Sequence, residues 1–308
     1  MRHILVVGGA GLIGAATALH LADLGHHVTI AGRRSPRSPL LAGFDFLPGS
    51  YLSPEWDGNC LGLFDTLVFA AGNDLRQMPA GADERAYFRA ANSEGIPAFF
   101  NRARAAGIGT AVYVGSYYRL VLPPDRVEAS GYLVSRRDAD ERVRALAAPG
   151  FRVCTLQSPF TVGHVAGVAA GQPERILSYC MRRLEPEGPR FAPPGGANFM
   201  STRSFAAAVA GAIERGEAGR SYLMGDCNWS YVEYFNRFLK ALGSAERAIA
   251  ADVPNPAMPD ISLYGGRCET IAYTPDPDTF DRLGALRGDA GRAIEELVLH
   301  HAGSLAGC

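Results

Sequence analysis

Met1-Arg-His-Ile-Leu-Val-Val-Gly8-Gly-Ala-Gly11-Leu-Ile-Gly14 opens the chain. The apolar run Ile4–Val7 has the length and composition of a buried strand. Glycines follow at once at 8, 11 and 14, and an amphipathic helix begins directly after them. A strand, a glycine turn and a helix in that order let backbone come close to a pyrophosphate, which can then rest on the unpaired N–H groups of the helix start. The spacing is Gly-x-x-Gly-x-x-Gly, one variation on the usual dinucleotide fingerprint.

Glycine alone says little in a chain with 36 of them. The surroundings say more. Ile13, Ala16, Thr17, His20, Leu21 and Leu24 share one helical face, Gly25 stands where a left-handed cap belongs, and a second β-run spans Val28–Ala31. The same pattern in a purely structural βαβ turn is the competing reading.

At 308 residues, 47% hydrophobic and 20% charged, the chain can bury a large core. Its net charge of −1 gives no footprint for nucleic acid. No charged n-region precedes an apolar segment, and no apolar run reaches the roughly 20 residues of a membrane helix. Cysteines 60, 154, 180, 227, 268 and 308 are scattered without metal-ligand spacing, which points to a reducing cytoplasm and no metal site. Lys240 is the single lysine, so positive charge is almost entirely arginine.

Strand and helix signals alternate through the first half. A Pro/Ser/Arg-rich loop (32–39), a short strand (44–47) and a loop past Trp56 and Asn59 come first. A strand at Thr66–Gly72, a long helix over Asp83–Ala106, a strand at Thr110–Val114, a helix over Tyr132–Ala147 and a strand at Arg152–Leu156 follow. This is the pattern of an α/β Rossmann-type, doubly wound parallel sheet. The second half is punctuated by prolines and predicts helices over 175–184, 204–215, 231–242 and 289–300. A dinucleotide-binding domain of 1–158 and a smaller C-terminal substrate-binding region of 159–308 are expected, with about 198–225 returning to the main sheet.

Taken together, Gly8-x-x-Gly11-x-x-Gly14, Phe69-Ala70-Ala71-Gly72, Asn92, Gly115-Ser116 and Tyr132-Leu-Val-Ser-Arg136 resemble the extended short-chain dehydrogenase/reductases, specifically the NAD(P)-dependent epimerase/dehydratase branch. The resemblance covers most of the chain. It implies that Ser116 hydrogen-bonds the substrate oxygen and that Tyr132 is the general acid or base. It also implies that the residue four positions on from Tyr132 holds the nicotinamide ribose and lowers the phenol pKa. Cofactor contacts implied in the same way are Gly8, Gly11, Leu12, Ile13, Gly14, Ala70, Ala71, Gly72, Asn92, Tyr132, Arg136, Pro159 and Phe160. A homodimer, paired through the 83–106 and 132–147 helices, is implied as well.

The sequence departs from that family at the lysine, which is Arg136 here. No Tyr-x-x-x-Lys exists anywhere in the chain. Arginine is also cationic, and i, i+4 spacing puts it on the tyrosine's face, but its planar fork is not interchangeable with an ammonium. Tyr132 and Arg136 as an active couple, or as cofactor, substrate or surface contacts only, both stay open. Tyr179…Arg183 repeats the spacing without supporting context. Further departures are Gly49-Ser50-Tyr51, Ser158-Pro159 and Ser204, at positions where the family carries an aspartate, an arginine before the proline, and an aspartate.

The second strand ends Gly32-Arg33-Arg34 with no acidic residue to accept a ribose 2′-hydroxyl. Guanidinium suits a 2′-phosphate, so NADP(H) is expected over NAD(H), with Arg33 ahead of Arg34; exposed loop arginines are the alternative. His26 and His27 read as solvated turn residues. His164 falls near the family's substrate region and is read as structural or as a substrate contact. Trp229, Tyr231, Tyr234, Phe235 and Phe238 read as core. The expected function is an NADP-dependent oxidoreductase of the epimerase/dehydratase type, moving hydride to or from a small-molecule carbonyl or hydroxyl carbon. The alternatives are a sugar-nucleotide epimerase or dehydratase, and a non-redox NADP(H)-binding sensor or scaffold.

Overall fold

The computed structural model describes residues 1–75 and 77–303; Arg76 and residues 304–308, Cys308 among them, lie outside the described residues. In chain order the first elements are β1 (His3–Val7), α1 (Leu12–Asp23), β2 (His27–Gly32), β3 (Asp45–Pro48), α2 (Gly58–Leu61) and β4 (Thr66–Phe69). Next come α3 (Glu84–Phe88), a π-helical turn (Arg89–Glu94), α4 (Gly95–Ala105), β5 (Thr110–Ser116), α5 (Tyr118–Val121), α6 (Pro124–Ala129), α7 (Gly131–Arg144) and β6 (Arg152–Ser158). The rest comprises β7 (Phe160–Val162), α8 (Gln172–Cys180), β8 (Phe191–Ala192), β9 (Gly196–Ser201), α9 (Thr202–Arg215) and β10 (Ser221–Leu223). After these follow β11 (Cys227–Ser230), α10 (Tyr231–Ala241), β12 (Ile249–Ala250), α11 (Pro277–Arg282) and α12 (Asp289–Gly303).

The main sheet has seven strands in the order β10-β6-β5-β4-β1-β2-β3, with every neighbouring pair parallel. Alternation along the strands decides which layer each side chain joins. Ile4, Val6, Val68, Val112 and Val114 pack with Ala15, Ala18 and Leu21 of α1 and Phe205, Ala208 and Val209 of α9. Leu5, Val7, Leu67, Phe69, Ala111 and Tyr113 pack on the opposite face with Phe99, Phe100 and Ala103 of α4 and Ala139 and Val143 of α7. Each fully buried side chain of this size contributes about 1.5–3 kcal/mol relative to exposure.

A third core holds Tyr179, Phe199, Trp229, Tyr234, Phe235, Phe238, Ile294 and Leu297. It joins α8, α10 and α12 to a three-stranded sheet of order β11-β9-β7. The 198–225 stretch therefore divides: residues 198–201 belong to this second sheet, α9 covers the main sheet, and only Ser221–Leu223 joins it, beside β6. Trp229 and its aromatic neighbours are core residues.

The continuous helix expected over 83–106 is interrupted. Asp83 caps α3 by accepting from the Ala86 N–H at 2.6 Å, and Arg89–Glu94 then winds as a π turn. The wider turn carries Asn92 inward, where its side chain bonds both backbone atoms of Asn73. Sequence periodicity averages over such a turn and does not register it.

The order β3-β2-β1-β4-β5 reverses direction between β1 and β4, which is where open α/β sheets leave a crevice beyond the strand ends. Backbone segments meet closely there. Gly8 has φ +83°, and a Cβ on it would stand 2.7 Å from the Ala70 carbonyl oxygen. A Cβ on Gly14 would run into the Gly8 carbonyl, whereas one on Gly11, extended at φ −90° and ψ 164°, would meet nothing nearer than 3.4 Å. Gly8→Ala and Gly14→Ala should each lower unfolding free energy by about 2 kcal/mol, and Gly11→Ala by about 0.5 kcal/mol or less. Urea unfolding of the three variants checks this; equal losses at all three positions would contradict it.

Candidate active site

One cleft of about 750 Å³ lies over the C-terminal ends of β1, β4, β5 and β6. It collects ten of the residues singled out from the sequence: Gly11, Leu12, Ile13, Gly14, Ala70, Ser116, Tyr132, Arg136, Pro159 and Phe160. Gly11 caps α1, so the N–H groups of Leu12, Ile13 and Gly14 have no intrahelical acceptor and lie along the cleft. A cradle of N–H groups at a helix start, set by Gly8 and Gly14, where a Cβ has no room, fits a dinucleotide pyrophosphate.

Ser116 ends β5 in register with Ser158 at the end of β6. Tyr132 and Arg136 lie one turn apart on α7, whose start Ser130 caps by accepting the Leu133 N–H at 3.3 Å. The Tyr132 ring stacks on Tyr264 (centroids 5.1 Å, 18°) and meets Phe88 edge-on at 5.3 Å.

Arg136 is 8% exposed, and its guanidinium is held from several sides. Nη2 donates to the Val114 carbonyl at 2.9 Å, and the plane lies 5.4 Å from the Tyr113 ring centroid. Nη1 fills the space a Cβ on Gly72 would need, coming within 2.5 Å of that position. Gly72 has φ +143°, so glycine is required twice over, by conformation and by the guanidinium. Nε has no partner among the described residues. Burial pushes the Tyr113 phenol up to about 12 and the Arg136 charge pulls against it. The same charge acts on Tyr132.

Gly8, Ala71, Gly72 and Asn92 stand behind the cleft surface. Asn92 is fully buried; its Nδ2 donates to the Asn73 carbonyl at 2.9 Å and to Ser135 Oγ at 3.1 Å, while Oδ1 accepts the Asn73 N–H at 3.1 Å. Ser135 Oγ in turn donates to the Tyr132 carbonyl at 2.7 Å. Asn92 thus ties the strand exit at β4 to the helix that carries Tyr132. Arg33 and Arg34 are exposed just beyond β2. Burial raises the Tyr51 and Tyr87 phenols, and the charge of Arg33 opposes it at both.

Other positions resolve into structural roles. Tyr51 is buried and its hydroxyl donates to the Ala91 carbonyl at 3.2 Å. Ser204 Oγ donates to the Leu286 carbonyl and accepts the Leu286 N–H. Tyr179 is buried, its hydroxyl accepting the Phe191 N–H at 2.9 Å, and Arg183 is exposed, so that repeat of the spacing forms no site. His27 is exposed in β2, 3.4 Å from Asp45.

His164 does not line the cleft. Its ring packs 3.8 Å from His300 and 6.0 Å from His301 on α12, a neighbourhood that only the tertiary return of the last helix creates. Conversely, Gln172, Ile261 and Tyr264 line the cleft without any motif to announce them.

The arrangement is that of a Rossmann-type dinucleotide-binding protein. The chain belongs to the NAD dependent epimerase/dehydratase family, whose profile matches residues 4–225. No curated protein matches the chain. Among solved structures, gox2253 is similar at TM-score 0.78 and 19% identity, covering 98% of this chain and 99% of that one. MoeE5 in complex with UDP-glucose and NAD is similar at TM-score 0.73 and 18% identity, covering 98% and 99%. A UDP-N-acetylglucosamine 4-epimerase from Methanobrevibacter ruminantium M1, in complex with UDP-N-acetylmuramic acid, is similar at TM-score 0.76 and 15% identity, covering 98% and 99%. Among the described residues no helix is long and apolar enough to cross a membrane.

The histidine packing has a consequence for pH. Burial, then repulsion from His300 and His301, lowers His164 from 6.5 to about 4. Between those values the unfolded chain binds a proton that the folded protein does not, so stability falls as pH drops from 6.5 toward 4. Thermal unfolding of His164→Asn should show a flatter dependence across that window than the unaltered protein. An identical slope in both would contradict the assignment.

Proposed function

We propose that the protein is an NADP(H)-dependent oxidoreductase that interconverts a small-molecule carbonyl and its carbinol. The single observation that carries the reading is the convergence of Ser116, Tyr132 and Arg136 on the cleft that also holds the Gly11–Gly14 turn. When bound, the dinucleotide supplies or accepts the hydride. The chain's own residues would do the remainder. Leu12, Ile13 and Gly14 would hold the pyrophosphate through their N–H groups. Ser116 Oγ would donate a hydrogen bond to the carbonyl oxygen and polarise it, and the Tyr132 phenol would deliver the proton to that oxygen.

A free phenol titrates near ~10 and needs a cation nearby to exchange its proton at neutral pH. Arg136 supports that role through its permanent charge on the same helical face. Nη2 is engaged by the Val114 carbonyl, and the rest of the guanidinium, at the cleft surface beside Gly72, would meet the ribose hydroxyls. The 2′-phosphate preference rests on Arg33, at the end of a strand that carries no carboxylate.

Tyr132→Phe should lower kcat by about a hundredfold or more with little change in dinucleotide affinity. Full turnover by that variant on a substrate the unaltered protein reduces would refute the role. Arg33→Ala should weaken NADPH several-fold and leave NADH unchanged, read by fluorescence titration; equal losses for both would remove the 2′-phosphate assignment.

A further inference from the structure

Beyond Ser116 and Tyr132 the cleft wall is mainly aromatic, and Asp74 is the one carboxylate among its described lining residues. Tyr117 and Tyr118 lie 4.3 Å apart, Tyr118 meets Tyr264 at 5.2 Å, and Tyr264 stacks on Tyr132. Phe160 closes the other side against Tyr117 at 6.3 Å. Burial, and then the neighbouring Tyr132, raise the Tyr264 phenol, so this ring stays neutral.

A nucleoside diphosphate brings a pyrophosphate, and proteins meet such groups with arginine forks or lysines. Among the described lining residues only two are cations, Arg136 and Arg175. Arg136 is buried at the dinucleotide end and bound to Val114. Arg175 is exposed, and its Nη2 donates to the Pro256 carbonyl. The start of α8 also borders the cleft, but its first turn already carries a carboxylate, Glu174. Gln172 adds a neutral amide to the lining, and its buried Nε2 has no partner among the described residues.

We infer that the substrate is an uncharged carbonyl compound with an aromatic or alicyclic body and a further hydrogen-bonding oxygen, and not a nucleoside diphosphate sugar. The carbonyl in this statement rests on the oxidoreductase reading; the neutral, ring-shaped body rests on the wall alone. The body lies against Tyr117, Tyr118 and Tyr264, and the second oxygen accepts from Gln172.

The test is a titration of the protein–NADPH complex, followed by the fluorescence of bound NADPH. The probes are acetophenone, hydroxyacetophenone, uridine diphosphate and UDP-glucose. Saturable binding of at least one ketone, undisplaced by uridine diphosphate, is expected. Tyr264→Ala should weaken that ketone about tenfold with thermal unfolding little changed. Should that variant not fold, Ile261→Lys, which places a charge in the wall from an exposed position, is expected to weaken the ketone as well. Saturable binding of uridine diphosphate or UDP-glucose in competition with the ketones would overturn the inference. So would failure of both ketones to bind, or unchanged ketone affinity in a folded variant. A ketone that binds but is never reduced would sink the redox reading and leave this one standing. Turnover of UDP-glucose would do the reverse.

Discussion

At the end of β1 the chain turns so tightly that the Gly8 carbonyl stands where a Cβ of Gly14 would be, while Gly8 itself rests against the backbone of Ala70. Three segments are brought within backbone distance by that turn: the exit of β1, the start of α1 and the exit of β4. The crevice between β1 and β4 opens at this place because the sheet order reverses there. Side chains larger than hydrogen would separate these segments, move the α1 N-terminus and close the space where its free N–H groups point. The rest of the cleft is arranged around this approach.

Arg136 gives the site its particular character. A lysine at the same position would present one compact charge on a flexible stem; a guanidinium is planar and has several donors to satisfy. The surroundings answer that geometry. Val114 offers a carbonyl, Tyr113 a ring face, and Gly72 the absence of a Cβ. The result is a cation fixed in place one helical turn from Tyr132. Asn92, drawn inward by the π turn, braces the same region by joining Asn73 to Ser135. Replacement of lysine by arginine thus comes with a pocket shaped for arginine.

Much of this is legible in the sequence. The glycine spacing with its flanking strand and helix predicts the turn, and the short apolar runs at Ile4–Val7 and Thr110–Val114, separated by helical stretches, predict buried parallel strands, because both are local patterns. The family resemblance names Ala70, Ser116 and Tyr132, which share one cleft. Less legible were features made by long-range packing. The π turn hides inside an apparently continuous helix, His164 meets histidines more than a hundred residues away, and Tyr264 reaches Tyr132 from an irregular loop. Tyr179…Arg183 shows the converse: the right spacing, but a hydroxyl spent on the Phe191 backbone.

The central claim is that the glycine turn holds a nicotinamide dinucleotide. A fluorescence titration with NADPH on the unaltered protein and on Gly11→Leu tests it most directly, since a side chain at Gly11 projects along the cleft without disturbing the turn beneath. Saturable binding that is lost in Gly11→Leu, with the variant still folded, is the predicted result. A folded protein that binds no NADPH, or a Gly11→Leu variant that binds it as well as the original, would contradict the account.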